Sequence, residues 1–184
     1  MKKNDFFSLP ETQQRMVLEQ AAIRHNLAKQ AVEKDLWVTA IIQIIFTLPC
    51  ADSLVFKGGT SLSKVWGLIN RFSEDIDLSM NRKPTESERK VSKELIVSIA
   101  DSLGMTLMNP DKIRSRHDYN MYVFTYESLF ASIPMEIIIE TSYYQTVYPV
   151  EKHEVGSFVG KFCVDREITL PIPFEAAHCS VQSG

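Results

Sequence analysis

The sequence has little of what marks several common kinds of protein. It holds three cysteines, Cys50, Cys163 and Cys179, odd in number, far apart and without a Cys-x-x-Cys pair. That excludes a disulfide framework, supplies no zinc-ligand spacing and fits a reducing compartment. The four histidines, His25, His117, His153 and His178, are scattered with no metal-ligand spacing. There is no excess of positive charge: 20 Lys and Arg face 23 Asp and Glu, for a net charge of −3. A generic electrostatic grip on nucleic acid is therefore excluded, although a local basic groove is not. No apolar run is long enough for a bilayer. The longest, Leu36 to Leu48, is interrupted by Thr39, Gln43 and Thr47. The charged start, Met1 to Asp5, leads into no apolar signal segment. Together these absences predict a cytoplasmic protein without a membrane partner.

What is present reads as one domain over residues 1–184, with a hydrophobic fraction of 45% that is ordinary for a globular core. Ser8-Leu9-Pro10-Glu11 has the form of a capping box, predicting a helix to about Arg24. A second helix is expected from near Ala28 to Leu48, ended by Pro49. Its isoleucines, Ile41, Ile42, Ile44 and Ile45, wrap much of the circumference and predict burial on more than one side. Glu33 and Asp35, in an early turn, suit the helix dipole. Leu54 to Phe56 reads as a short buried strand. Gly58-Gly59 follows, and then a helix over 62–69 capped by Thr60 or Ser61. Asp75 to Ser79 is the next strand.

A long helix over 88–103, with Val91, Leu95, Ile99 and Leu103 on one face, closes at Gly104. Thereafter the period changes. Residues 105–108, 119–126 and 134–142 read as strands. Weaker signals suggest a helical turn in His153 to Val159 and short strands at Lys161 to Val164 and Glu167 to Leu170. Helices first and a mixed or antiparallel sheet second predict an α+β fold with an N-terminal helical pair.

The chemistry concentrates between Lys57 and Leu78, KGGTSLSKVWGLINRFSEDIDL. In a strand Asp75 and Asp77 project to one side while Ile76 and Leu78 face the core. Paired carboxylates repel unless something positive neutralises them, and a divalent cation is a common answer. On the dipeptide alone, a solvated pair at a strand end is the better account. The preceding glycines alter that balance. Gly58 and Gly59 let the backbone approach a ligand, a helix start offers free N–H groups, and Thr60, Ser61, Lys57 and Lys64 add donors. Strand, Gly-Gly-Thr-Ser, short helix, then a strand bearing Asp-x-Asp suits phosphoryl transfer on divalent ions. A third carboxylate is expected from the strand 134–142. There Glu136, Ile138, Glu140 and Ser142 share a face, and Glu140 is preferred over Glu136. The run Lys112-Arg114-Arg116-His117 could touch phosphates or be a solvated loop. Tyr143, Tyr144 and Tyr148 could stack on bases or pack at a sheet edge.

The stretch FKGGTSLSKVWGLINRFSEDIDL resembles the signature of the AbiEii/AbiGii nucleotidyltransferase toxins, within the DNA polymerase beta-like nucleotidyltransferase superfamily. Glu33-Lys34-Asp35 is similar to a Glu-Lys-Asp preceding that signature, and IIIETSYY to the strand that carries the third acidic residue. The resemblance implies the toxin of a bacterial toxin–antitoxin or abortive-infection pair, moving a nucleoside monophosphate from an NTP to an acceptor. Asp75, Asp77 and Glu140 would hold two Mg2+ ions, or Mn2+, and carry the catalysis. Gly58, Gly59, Thr60 and Ser61 would contact the triphosphate, with Lys64 or Arg71 neutralising it. RNA, tRNA above all, is the implied acceptor, and an antitoxin the implied protein partner.

Family members continue into a helical half, and neither its Glu-Lys-x-x-Ala-like segment nor its later Arg-Asp-rich segment precedes Gly184. Either a truncated chain or one that has lost part of its nucleotide and acceptor site is therefore expected. Two other readings stay open: a catalytically silent module that binds a partner protein, and a nuclease using the same carboxylates. The glycine–hydroxyl turn argues against the nuclease.

Overall fold

The computed structural model describes residues 5–68, 75–113, 116, 118–168 and 177–183. After a 3-10 turn at Asp5–Ser8, two helices follow, α1 (Glu11–His25) and α2 (Lys29–Ile45). Then come β1 (Leu54–Lys57), the short α3 (Gly58–Lys64), β2 (Ile76–Met80), α4 (Glu86–Leu103), β3 (Thr106–Leu107), β4 (Tyr119–Tyr126), β5 (Met135–Gln145), β6 (Val150–Val155), α5 (Phe158–Asp165) and β7 (Ala177–Gln182). The seven strands form one mixed sheet in the order β3-β4-β5-β2-β1-β7-β6. β2 with β5 and β1 with β7 are parallel, and the other pairs are antiparallel. The α+β class with an N-terminal helical pair is thus observed.

Alternation fixes the two faces of the sheet. Leu54, Phe56, Ile76, Leu78, Ile137, Ile139, Tyr122 and Phe124 point to the covered face, each at most 1% exposed. Val38, Ile41, Ile42 and Ile45 of α2 pack on them, as do Ile96, Ile99 and Ala100 of α4. Burying each large aliphatic side chain stabilises by about 1.5–3 kcal/mol, which locks β2 in its register. The other side of α2 belongs to a second cluster, where Val32 and Leu36 meet Leu18, Ala21 and Ala22 of α1 and Val159 and Phe162 of α5. α2 is buried on two sides because it joins these clusters.

Several local expectations are corrected. The N-cap of α1 is Pro10 rather than Ser8, and it makes no side-chain cap hydrogen bond. A capping box is at α4, where Thr85 and Glu88 exchange hydrogen bonds. The buried face of α4 is Ser92, Ile96, Ile99 and Ala100, with Val91 46% exposed. A strict four-residue step drifts around a helix of 3.6 residues per turn. The third helix starts at Gly58 and has its last residue at Lys64, earlier at both ends than the expected 62–69. His153 lies on strand β6, and residues 161–164 belong to helix α5. Ser157 accepts the Gly160 amide at 2.9 Å and caps that helix. Pro171-Ile172-Pro173, Arg114 and His117 lie outside the described residues.

Candidate active site

β2 lies between β1 and β5, and its register assembles the site. Lys57 pairs with Asp77 across the antiparallel ladder, and Asp77 pairs with Glu140 across the parallel one. Glu140 in turn stands opposite Met121 of β4. Partners in register share a face and strands are about 4.8 Å apart, so Lys57, Asp77 and Glu140 form a row away from the core. Asp75, exposed, immediately precedes β2 rather than lying in it, and is near enough for its charge to act on Asp77. Glu136 shares the face of Glu140 but lies exposed four residues away and opposite Thr125. The sheet therefore brings Glu140, not Glu136, beside Asp77.

The electrostatics follow from this packing. Asp77 is partly buried, and its carboxyl is pushed up to about 6. Burial is the largest cause and the negative charge of Glu140 the next, with Asp75 adding to it and the Lys57 ammonium opposing. Glu140 also accepts a hydrogen bond from the Tyr119 hydroxyl at 2.5 Å. Tyr119 is a site residue that sequence reasoning missed. It becomes a neighbour of Glu140 only through the β4–β5 register, which an eight-residue connection between the strands leaves unspecified.

Gly58 has a definite steric role. Its φ is +76°, a left-handed conformation, and a Cβ there would lie 1.9 Å from Asp77 Oδ2. Only glycine leaves room for the carboxylate. Of the residues expected to contact or neutralise a triphosphate, Thr60, Ser61 and Lys64 each have partners in the structure. Thr60, 0% exposed, donates its hydroxyl to the Asp75 carbonyl at 2.5 Å. Ser61, equally enclosed, donates to the Gly58 carbonyl at 2.9 Å. Lys64 is 10% exposed at the side chain and ion-pairs with Asp35. These three side chains build the turn. Gly59 is partly open, Lys57 stands at the row, and Arg71 lies outside the described residues.

An all-oxygen set of Asp77 and Glu140, with Asp75 adjacent, fits a hard divalent cation in donor chemistry. Burial and the negative charge of Glu140 raise the proton affinity of Asp77, and a cation between the two would satisfy both. Among the described residues, no group of three or more His, Cys, Asp or Glu is drawn into a metal-holding cluster. No helix among them is long and apolar enough to cross a membrane.

No curated protein matches the chain. Two Helicobacter pylori structures are similar at a TM-score of 0.46: JHP933, at 24% identity over 68% of this chain and 50% of that one, and a candidate nucleotidyltransferase, at 25% identity over 68% and 51%. The chain thus spans about half the length of each. Residues 42–178 match the model of the family described as nucleotidyl transferase AbiEii toxin, type IV toxin–antitoxin system, a span that holds the Gly-Gly turn, the Asp-x-Asp strand and Glu140. The chain belongs to the AbiEii nucleotidyl transferase toxin family.

Proposed function

We propose that this chain carries the catalytic centre of a metal-dependent nucleotidyltransferase, the toxin of a type IV toxin–antitoxin or abortive-infection system. It transfers a nucleoside monophosphate from an NTP to an acceptor hydroxyl, with RNA, and tRNA foremost, as the acceptor. The observation that carries this reading is the row Lys57–Asp77–Glu140, produced by strand register directly beside Gly58. Family membership supports the reaction class.

Asp75, Asp77 and Glu140 are the residues that would hold Mg2+ or Mn2+. When bound, such ions neutralise charge on the phosphates and favour ionisation of the acceptor hydroxyl. The protein's own residues supply the rest. Glu140, fixed by Tyr119, takes the proton from the acceptor hydroxyl. The acceptor oxygen attacks the α-phosphorus, the bond to the β-phosphate oxygen breaks, and pyrophosphate leaves. Lys57 supplies positive charge at the row, and the backbone of Gly58 and Gly59 lets the phosphates approach. Thr60, Ser61 and Lys64 act by holding that turn. Arg71 retains its expected role as a phosphate cation. The antitoxin is the protein partner, and the cytoplasm, where NTPs and RNA meet, is the working compartment.

Incubating the full-length protein with each α-labelled NTP, Mg2+ or Mn2+ and total RNA tests this directly. Ribonuclease-sensitive label is the expected result. If no nucleotide is transferred to any acceptor and Asp77→Ala leaves growth arrest unchanged, the protein is instead a partner-binding module.

A further inference from the structure

The Glu33-Lys34-Asp35 segment is not explained by the carboxylate row, yet all three residues are buried, at 2%, 8% and 6% exposure. Glu33 anchors the loop after β4, accepting from Ser128 Oγ and the Leu129 amide, both at 2.6 Å. Asp35 does something different. One carboxylate oxygen receives the Lys64 ammonium, and the other accepts the Phe158 amide at 2.9 Å. That amide opens α5, where negative charge favours the helix start. Lys64 also donates to Thr39 Oγ1 at 2.9 Å and to the Gly156 carbonyl at 3.4 Å. Thr39, 0% exposed, in turn donates to the Asp35 carbonyl at 2.7 Å. One buried ion pair therefore joins α2, the end of α3 and the β6–α5 corner.

The network continues into the reactive strand. Lys64 ends the short helix whose first residue, Gly58, lies against Asp77. Thr60 of the same helix holds the carbonyl of Asp75. α3 is thus fastened at one end to the strand bearing the carboxylates and at the other to α2. A seven-residue helix does not keep its pose alone. A buried ion pair is also a poor choice for stability alone, because apolar residues of similar volume commonly do as well or better. The geometry points to Asp35 and Lys64 as a positioning couple. Through α3 and Thr60 they fix the Gly58 turn and the Asp75–Asp77 strand in the arrangement that the proposed nucleotidyl transfer needs, and the inference rests on that reading. Neither residue touches the reacting atoms.

The couple explains why an aspartate and a lysine 29 positions apart stand where apolar side chains would pack. The test is the double variant D35N/K64M in the full-length protein. Asparagine keeps an acceptor for the Phe158 amide, and methionine keeps the volume and stem of Lys64 while removing its charge and donors. Three readouts are compared with wild type: thermal unfolding, Mn2+ affinity by titration, and amide exchange over residues 75–77. A positioning couple predicts a folded protein with little change in melting temperature. Mn2+ affinity and transfer rate would each fall by about tenfold or more, and exchange at 75–77 would accelerate by a similar factor. Mn2+ affinity and exchange both at wild-type values in the folded double variant would overturn the inference. If the double variant does not fold, Thr39→Val, which removes one acceptor from Lys64, carries the test. A few-fold acceleration of exchange at 75–77 supports the couple, and unchanged exchange overturns it. If wild type itself binds no Mn2+ and transfers no nucleotide, the functional reading fails, while exchange at 75–77 still decides the mechanical one.

Discussion

Replacing Gly58 by alanine separates the steric role of this glycine from its backbone conformation. The new Cβ would stand 1.9 Å from Asp77 Oδ2, where ordinary contact begins near 3.4 Å. The carboxylate, or β2 beneath it, must therefore move by about 1.5 Å, because repulsion rises steeply inside contact distance. β2 cannot readily yield, since Ile76 and Leu78 on its other face are at most 1% exposed. The side chain of Asp77 rotates away and the backbone gives slightly, because the Asp77 Cβ would also stand at 2.9 Å from the new Cβ. A displacement of about 1 Å from reacting geometry costs roughly a hundredfold in rate. Left-handed strain on alanine adds about 1–2 kcal/mol of destabilisation, lowering the melting temperature by roughly 2–8 °C in a chain of this size.

Gly104 provides the control. Its φ is +68° and an added Cβ meets nothing within 4 Å. Gly104→Ala should lose similar stability and keep transfer within about threefold of wild type, a barrier change under 1 kcal/mol. Thermal unfolding and transfer from an α-labelled NTP, measured on both variants, give the comparison. Equal retention of activity by the two would refute the steric argument, since it would mean that Asp77 does not need the space Gly58 leaves.

Other substitutions probe neighbouring contacts. Tyr119→Phe removes the hydroxyl held by Glu140 at 2.5 Å. Transfer should fall by about tenfold with the melting temperature nearly unchanged, and full activity would remove Tyr119 from the site. Thr60→Val deletes the hydrogen bond to the Asp75 carbonyl. It should cost about 1–3 kcal/mol in urea unfolding and lower kcat more than it changes KM; wild-type kcat would show that Thr60 does not hold the strand. Burial holds the Glu33 carboxyl above its ordinary value of 4.5, outweighing the contacts from Ser128 and Leu129. Between 4.5 and that raised value the native state keeps a proton that the unfolded chain releases, so the Glu33 contribution to stability declines as pH rises through the window. Glu33→Gln should flatten this slope in denaturation measured across pH, and an unchanged slope would contradict the buried-carboxyl account.

The sequence made the Asp-x-Asp strand legible because its two apolar neighbours declare which way it faces. Ile76 and Leu78 are core, so Asp77 between them points away, and Asp75 precedes the strand, exposed. Glu140 was legible for the same reason, since strict alternation puts it opposite Ile139 and Thr141, both 0% exposed. What alternation cannot supply is register. Lys57 beside Asp77 follows from the β1–β2 ladder, and Tyr119 beside Glu140 from the β4–β5 ladder. Donor identity does not reveal partners either: Thr60, Ser61 and Lys64 have the chemistry of phosphate ligands, and in the fold they bond Asp75, Gly58 and Asp35. Those partners come from distant segments and are invisible to local pattern. α5 was hidden by its composition, Phe-Val-Gly-Lys-Phe-Cys-Val, which reads as strand. The Ser157 cap and the apolar spacing of Val159, Phe162 and Cys163 were the available helix signals.

The central claim is that Asp77 and Glu140 together form the reactive centre. Asp77→Asn keeps the size of the side chain and relieves the repulsion from Glu140 that helps push Asp77 to about 6. It should therefore fold at least as stably as wild type. The deciding measurement is transfer from an α-labelled NTP by the folded full-length Asp77→Asn protein. The account predicts a loss of about a thousandfold with no loss of melting temperature. Transfer by Asp77→Asn at the wild-type rate would contradict it.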